Sequence, residues 1–148
     1  EPRPGYLQGL RALADRYGCA LIFDEVITGF RIALGGAQSY YGVTPDLSVF
    51  AKAMANGYPI SAIVGRQRWM QPIAEGKVVH AGTMNAGNAT VAAAQATIDI
   101  LERDNVNARL HRLGRRLIDG LREAARATEA DPECAELRDI ERANGKPG

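Results

Sequence analysis

The chain has 148 residues, 46% of them hydrophobic and 24% charged, the balance of a soluble globular protein long enough to bury a core. A net charge of +1 provides no electrostatic case for nucleic acid or a lipid surface, and no apolar stretch reaches the roughly 18 residues of a membrane span. Two cysteines without a CxxC spacing and two histidines, His80 and His111, argue against a metal site or disulfide framework and suit a reducing, cytoplasmic setting.

The opening Glu1-Pro2-Arg3-Pro4 has no Met and runs at once into a helix pattern, so the chain is expected to be the middle of something longer. Tyr6, Leu7, Leu10, Leu13, Ala14 and Tyr17 recur at helical spacing, and Gly18 follows as a C-terminal stop. Residues 20–23 are too few for a helix and apolar on both faces, which predicts a central parallel strand ending in Asp24-Glu25-Val26. The Gly-rich stretch 28–42 reads as a long loop with short helical pieces. Residues 47–50 form the next strand and lead into Lys52, and 60–64 form another, opened by Pro59 and closed by Gly65.

A helix is predicted over 66–74, and Val78-Val79-His80 as one more short strand ending in Ala81-Gly82-Thr83. An Ala-rich helix runs from Asn88 to about Arg103. A second long helix carries Leu110, Leu113, Leu117 and Leu121 on one stripe and its arginines largely off it, as a solvated face. From Thr128 apolar residues thin out, and the tail is expected to be weakly structured. The alternation of helix and strand predicts a mostly parallel α/β sheet, in which ligands gather beyond the carboxyl ends of the strands. Asp24, Lys52 and Thr83 all fall at that edge.

An amine and a carboxylate delivered to one sheet edge can hold an aldehyde cofactor. A partly desolvated lysine gives up its charge more easily, and the neutral amine attacks a carbonyl to form a Schiff base. Asp24 can keep a pyridine nitrogen protonated, so that the ring accepts electrons. Val26, two residues on, is expected on the same side as Asp24, bracing a flat ring from behind. Each residue also has a plainer reading: Lys52 reaching past the strand to water, Asp24 capping a helix or pairing with a surface cation, Val26 an ordinary core valine. Gly82 and Thr83 offer a backbone N–H and a hydroxyl for a phosphate, although Gly-Thr alone is a weak signal. No GxxxxGKS/T and no GxGxxG after a strand are present, which removes the nucleotide and dinucleotide readings.

Leu21-Ile22-Phe23-Asp24-Glu25-Val26-Ile27-Thr28-Gly29-Phe30-Arg31, preceded by Tyr6-Leu7-x-x-Leu10, resembles the signature of class III pyridoxal-phosphate-dependent aminotransferases. It continues in order through Tyr41-Gly42-Val43-Thr44-Pro45-Asp46-Leu47, Lys52-Ala53-Met54-Ala55-Asn56-Gly57-Tyr58-Pro59 and His80-Ala81-Gly82-Thr83. The likeness covers about residues 5–125. Its Thr-Gly-Phe-Arg and His-x-Gly-Thr phrasing is similar to glutamate-1-semialdehyde 2,1-aminomutases.

The resemblance implies part of the large domain of the fold-type I transferase fold, a mostly parallel sheet flanked by helices. Residues 1–105 would be the C-terminal part of that domain, 106–127 a helix leading into a small C-terminal domain, and 128–148 an atypical polar tail. It implies pyridoxal 5'-phosphate as cofactor, a small-molecule amino donor and a carbonyl acceptor as substrates, and a homodimer with a shared active site. Lys52 would carry the Schiff base and shuttle the proton, Asp24 would pair with the pyridinium nitrogen, and Val26 would pack on the ring. Thr83, with Gly82 beside it, would reach the phosphate of the neighbouring subunit's cofactor. Arg31 is expected to be structural. Asn85-Ala86-Gly87-Asn88-Ala89 departs from the Asn-Pro step usual in the family, and an earlier segment that would supply phosphate-binding amides and a stacked aromatic ring is absent. A fragment is therefore expected, either as part of a working transaminase or aminomutase or as an inert remnant of one.

Overall fold

The computed structural model describes residues 1–83 and 85–127, which divide into a first unit, Glu1–Arg109, and a second that begins at Leu110. The polar tail 128–148 lies outside the described residues. In the first unit, helix α1 spans Tyr6–Tyr17 and stops at Gly18, whose backbone N–H returns to Ala14 and Asp15. Of its expected apolar stripe, Leu7, Leu10 and Ala14 are partly covered, whereas Tyr6, Leu13 and Tyr17 are exposed.

The first two strands are joined at their entrance. Asp46 N–H donates to Leu21 O at 2.7 Å, and the Asp46 carboxylate accepts the Leu21 N–H at 2.9 Å. From that clamp β1 (Ile22–Asp24) and β2 (Leu47–Phe50) run parallel, with Asp24 opposite Val49. Their crossover contains α2 (Gly36–Tyr41), the one short helix within the Gly-rich stretch. A 3-10 helix, Lys52–Ala55, follows β2 directly.

The sheet then departs from the parallel expectation. β3 is Ala62–Gly65, two residues later than predicted at its start, and pairs antiparallel to β2 with Phe50 opposite Ala62. The connection 51–61 explains this: parallel neighbours need a crossover of a dozen or more residues, usually with a helix, and a 3-10 turn serves only to reverse the chain. The result is a mixed three-stranded sheet in the order β1-β2-β3.

Helix α3 (Gln67–Ala74) follows, but the predicted strand at 78–80 does not form. The N–H groups of Lys77 and Val78 both turn back to Pro72 O, closing the end of α3, and Val79 is 87% exposed. Among the described residues no strand stands beside that segment for it to pair with. The next helix, α4 (Asn88–Arg103), coincides with the predicted Ala-rich helix.

One face of the sheet is covered. Ser48 and Phe50 point to it, and Phe50 joins Met54, Ala55 and Ala94 in the core, with Phe30, Ile60 and Ile98 packed around them. Burying a ring of that size contributes about 1.5–3 kcal/mol. Phe30 meets Phe50 with ring centroids 5.5 Å apart and planes tilted by 56°. The alanines of α4 and the 3-10 helix allow the two to pack closely. The opposite face carries Ile22, Asp24, Leu47, Val49 and Ile63, since register partners share a side; Ile22 is 56% exposed and Ile63 46%.

Gly29 is held between these layers. A Cβ there would press on the Phe50 ring and stand 2.7 Å from Glu25 O. Gly29→Ala is expected to destabilise the fold by about 1–3 kcal/mol through overpacking, read from a denaturant midpoint. A change below a few tenths of a kcal/mol would show that Phe50 can move aside freely.

Helix α5 spans Val106–Ala127. In the second unit its leucines at 113, 117 and 121 are all exposed, so the apolar stripe predicted from spacing exists but is uncovered by the described residues of that unit. Among the described residues no helix is long and apolar enough to cross a membrane.

Candidate active site

Lys52 is delivered by β2 and set by an unusual backbone. Phe50 is the last strand residue, Ala51 is extended, and Lys52 then takes φ 46°, in the left-handed region. A side chain at that φ costs on the order of 1–2 kcal/mol, and such strain gathers at functional positions. Phe30 (φ 61°) and Asn56 (φ 47°) share it. Lys52 and Asn56 line one open depression of about 540 Å³, together with Arg31, Tyr58 and Ile60. Lys52 is exposed, and no carboxylate of the described residues stands within ion-pair distance of it. The desolvation expected from its position after an apolar strand is thus not supplied by these residues.

Asp24 closes β1, beside Val49, three residues ahead of Lys52. The two candidate groups therefore leave the carboxyl ends of adjacent parallel strands. Asp24 Oδ1 accepts the Val26 N–H at 3.0 Å, and Oδ2 is uncommitted among the described residues. Asp24 is exposed, like Lys52. Val26 is not a strand residue: β1 ends at Asp24, so the alternation that would put both side chains on one side does not extend to it. What ties Val26 to Asp24 is the hydrogen bond from its backbone. Gly82 and Thr83 sit in an exposed turn closed by Asn85 N–H to Gly82 O at 3.0 Å, and neither lines the depression around Lys52.

Two buried carboxylates escaped the sequence reading. Glu25, 1% exposed, points away from Asp24 to the covered side, where it accepts the Ala37 and Gln38 N–H groups at 2.8 Å each and the Thr28 hydroxyl. Asp46, fully buried, takes Arg11 at 2.8 Å and Arg68 at 3.1 Å besides the Leu21 N–H. That N–H above all holds the Asp46 carboxyl well below the usual carboxylate range, against the opposing push of burial and with the help of Arg11. Strand pairing reaches one residue past β1, to Glu25, whose N–H bonds Val49 O, so alternation was the available signal for Glu25; Arg11 and Asp46 are far apart in the chain, and nothing local announces their contact.

Lys52 and Asp24 thus leave the carboxyl ends of adjacent parallel strands of one α/β sheet, although neither Asp24 nor Val26 lines the depression around Lys52. The family model that matches over residues 1–138 is that of class-III aminotransferases, and the chain belongs to this family. It is 50% identical over 127 residues to a glutamate-1-semialdehyde 2,1-aminomutase of Syntrophobacter fumaroxidans, covering 85% of this chain and 29% of that protein. It is 54% identical over 105 residues to a 3-aminobutyryl-CoA aminotransferase of Cloacimonas acidaminovorans, covering 71% of this chain and 25% of the other. Among solved structures, an omega-transaminase from Sphaerobacter thermophilus superposes with a TM-score of 0.80 at 36% identity, over 86% of this chain and 30% of that one. A taurine:2-oxoglutarate aminotransferase from Bifidobacterium kashiwanohense, solved in complex with PLP and glutamate, gives 0.76 at 28% identity over 86% and 29%. The chain spans less than a third of the length of these relatives, and the sheet is part of the PLP transferase fold.

Proposed function

We propose that this chain supplies the lysine-bearing part of the pyridoxal 5'-phosphate site of an aminotransferase that moves an amino group from a small amino donor to a carbonyl acceptor. The observation that carries the reading is the placement of Lys52 and Asp24 at the carboxyl ends of adjacent parallel strands in a class-III aminotransferase sheet. The donor set fits the cofactor: among the described residues, an amine without an ion-pair partner and a carboxylate with one oxygen uncommitted.

The cofactor, when bound, supplies an aldehyde carbon for an amine and a ring that takes up electrons from the substrate's α-carbon. Lys52 Nζ would hold that aldehyde carbon and, once displaced by the substrate's amine, would take up and return a proton at carbon. Asp24, its Oδ1 kept in place by the Val26 N–H, would present Oδ2 to the ring nitrogen and hold the proton there. Val26 would pack against the ring. Gly82 and Thr83 would give an N–H and a hydroxyl to the phosphate of a neighbouring subunit's cofactor, so that a homodimer completes each site. Residues 1–105 would then be the C-terminal part of the large domain, 106–127 the helix towards a small domain, and the protein would work in the cytoplasm.

Borohydride reduction in the presence of pyridoxal phosphate, followed by peptide mapping, is expected to label Lys52. Label at Lys77 or Lys146 instead, or no label, would overturn the assignment and leave the chain an inert relative. Asp24→Asn should still be labelled, but the bound cofactor's ring nitrogen should titrate about 1–3 pH units lower, because removing the neighbouring negative charge disfavours its protonated form. An unchanged titration curve would remove Asp24 from the site. The similarity to an aminomutase favours a second reading, transfer within one molecule. Turnover of a single amino-carbonyl substrate with no added acceptor would establish it.

A further inference from the structure

We infer that Glu25 is a positioning residue for the reaction proposed above, fixing Asp24 and Val26 on either side of it through a clamp onto the start of α2. The inference rests on that functional reading, but its geometry is independent of any cofactor. Glu25 has all its polar groups committed. Its N–H donates to Val49 O at 2.9 Å, and its C=O accepts the Gly29 N–H at 2.8 Å. Its Oε2 takes the Thr28 hydroxyl and the Ala37 N–H, and its Oε1 takes the Gln38 N–H at 2.8 Å.

Thr28 and Gly29 close the turn that follows Val26, so the side chain and main chain of one buried residue both hold its far end. The Val26 N–H, which aims Asp24 by its 3.0 Å bond to Oδ1, lies inside it. Adjacent carboxyls have thus been sent to opposite faces. One remains exposed, and its neighbour is buried and bonded on every atom, so it cannot rotate or shift without breaking several hydrogen bonds.

The helix end is shaped to receive this carboxylate. Gly36 has φ 75°, and a Cβ built on it would meet Glu25 Oε2 at 2.5 Å, so a side chain there would displace the clamp from the other direction. Gly42, at the far end of the same helix, has a similar φ of 66° but open space around it. Gly36→Ala and Gly42→Ala therefore impose comparable backbone strain, and only the first touches Glu25.

The test compares Glu25→Gln, Gly36→Ala and Gly42→Ala with the unaltered protein. Glutamine can accept from one of the two α2 N–H groups but presents a donor to the other. Two readouts are needed: amide exchange at Val26 without cofactor, and the pH midpoint of the absorbance of pyridoxal phosphate bound at Lys52. Glu25→Gln and Gly36→Ala are expected to speed Val26 exchange by about tenfold or more, the scale of losing one hydrogen bond to a carboxylate. They should also move the cofactor's midpoint in the direction of Asp24→Asn, while leaving exchange in α4 unchanged. Gly42→Ala should leave Val26 and the midpoint unmoved. If Glu25→Gln and Gly36→Ala match Gly42→Ala in both readouts, Glu25 is a structural residue only and the inference falls. If Val26 responds as expected but borohydride puts no cofactor on Lys52 of the unaltered protein, the functional reading fails instead.

Discussion

Lys52→Gly is expected to stabilise the protein and abolish its chemistry. The gain comes from the backbone: at φ 46° a side chain strains against its own carbonyl, and glycine relieves roughly 1 kcal/mol of that. The loss comes from the amine. Removing the group proposed to anchor the cofactor and move the proton should lower turnover by at least about 10²–10⁴-fold. Lys52→Ala keeps the strain and loses the amine, so it should be equally inactive but less stable than the glycine variant. Denaturant midpoints of the two variants, beside borohydride labelling, separate the effects. Turnover or labelling that survives in Lys52→Ala would end the proposal for this residue. A glycine variant no more stable than the alanine one would mean that the left-handed backbone is imposed at no cost.

Asp46→Ala is expected to cause the largest loss of stability, about 3–5 kcal/mol, the usual cost of removing one partner from a buried charged contact. Its partners do not share this equally. Arg66, at 3.7 Å, and Arg68 have side chains 48% and 60% exposed, so water replaces the aspartate for them at little cost. Arg11, only 14% exposed, keeps Asp15 at 2.7 Å on one nitrogen, but its other nitrogen and the Leu21 N–H lose the Asp46 acceptor. Arg68→Ala should therefore cost less than about 1 kcal/mol.

The same carboxylate makes stability depend on acid. Its folded pKa lies below the unfolded value of about 3.9, so the folded state is favoured fully above that pH. The contribution is lost as pH falls below about 4, when the unfolded chain takes up a proton that the folded one refuses. In Asp46→Asn that part of the acid dependence should disappear. Stability curves of the two proteins that run parallel from pH 6 downwards would show that the clamp carries none of it.

Helices whose ends carry their own punctuation were legible residue by residue. Gly18 ends α1 where its left-handed cap requires, and the run of alanines from Asn88 to Arg103 matches α4. β2 was equally plain, a short apolar run too brief for anything else. The direction of β3 was not, because an apolar run looks the same in either orientation and only the length of the connection decides. Val78-Val79-His80 shows the limit of composition: β-branched residues favour a strand only where a neighbour exists to pair with. At the site, a strand-end reading placed Asp24 and Lys52 at the carboxyl ends of strands that the fold makes neighbours. It could not reveal Asp46 with Arg11, a contact across α1 and the sheet. Glu25 was hidden for a different reason. Standing beside a more conspicuous aspartate, it read as part of the same motif, although a period of two sends it the opposite way.

The uncovered side of the sheet has an electrical consequence. Asp24 shares it with Ile22, Leu47, Val49 and Ile63, a set of greasy neighbours around a single acid. Any layer laid over those side chains would also strip water from this carboxylate. The local permittivity would drop, and the attraction between Asp24 and a positive ring would grow several-fold at the same separation. Shutting that side would thus strengthen the pull on a cationic guest with no residue of this chain having to move, against the cost of taking both charges out of water.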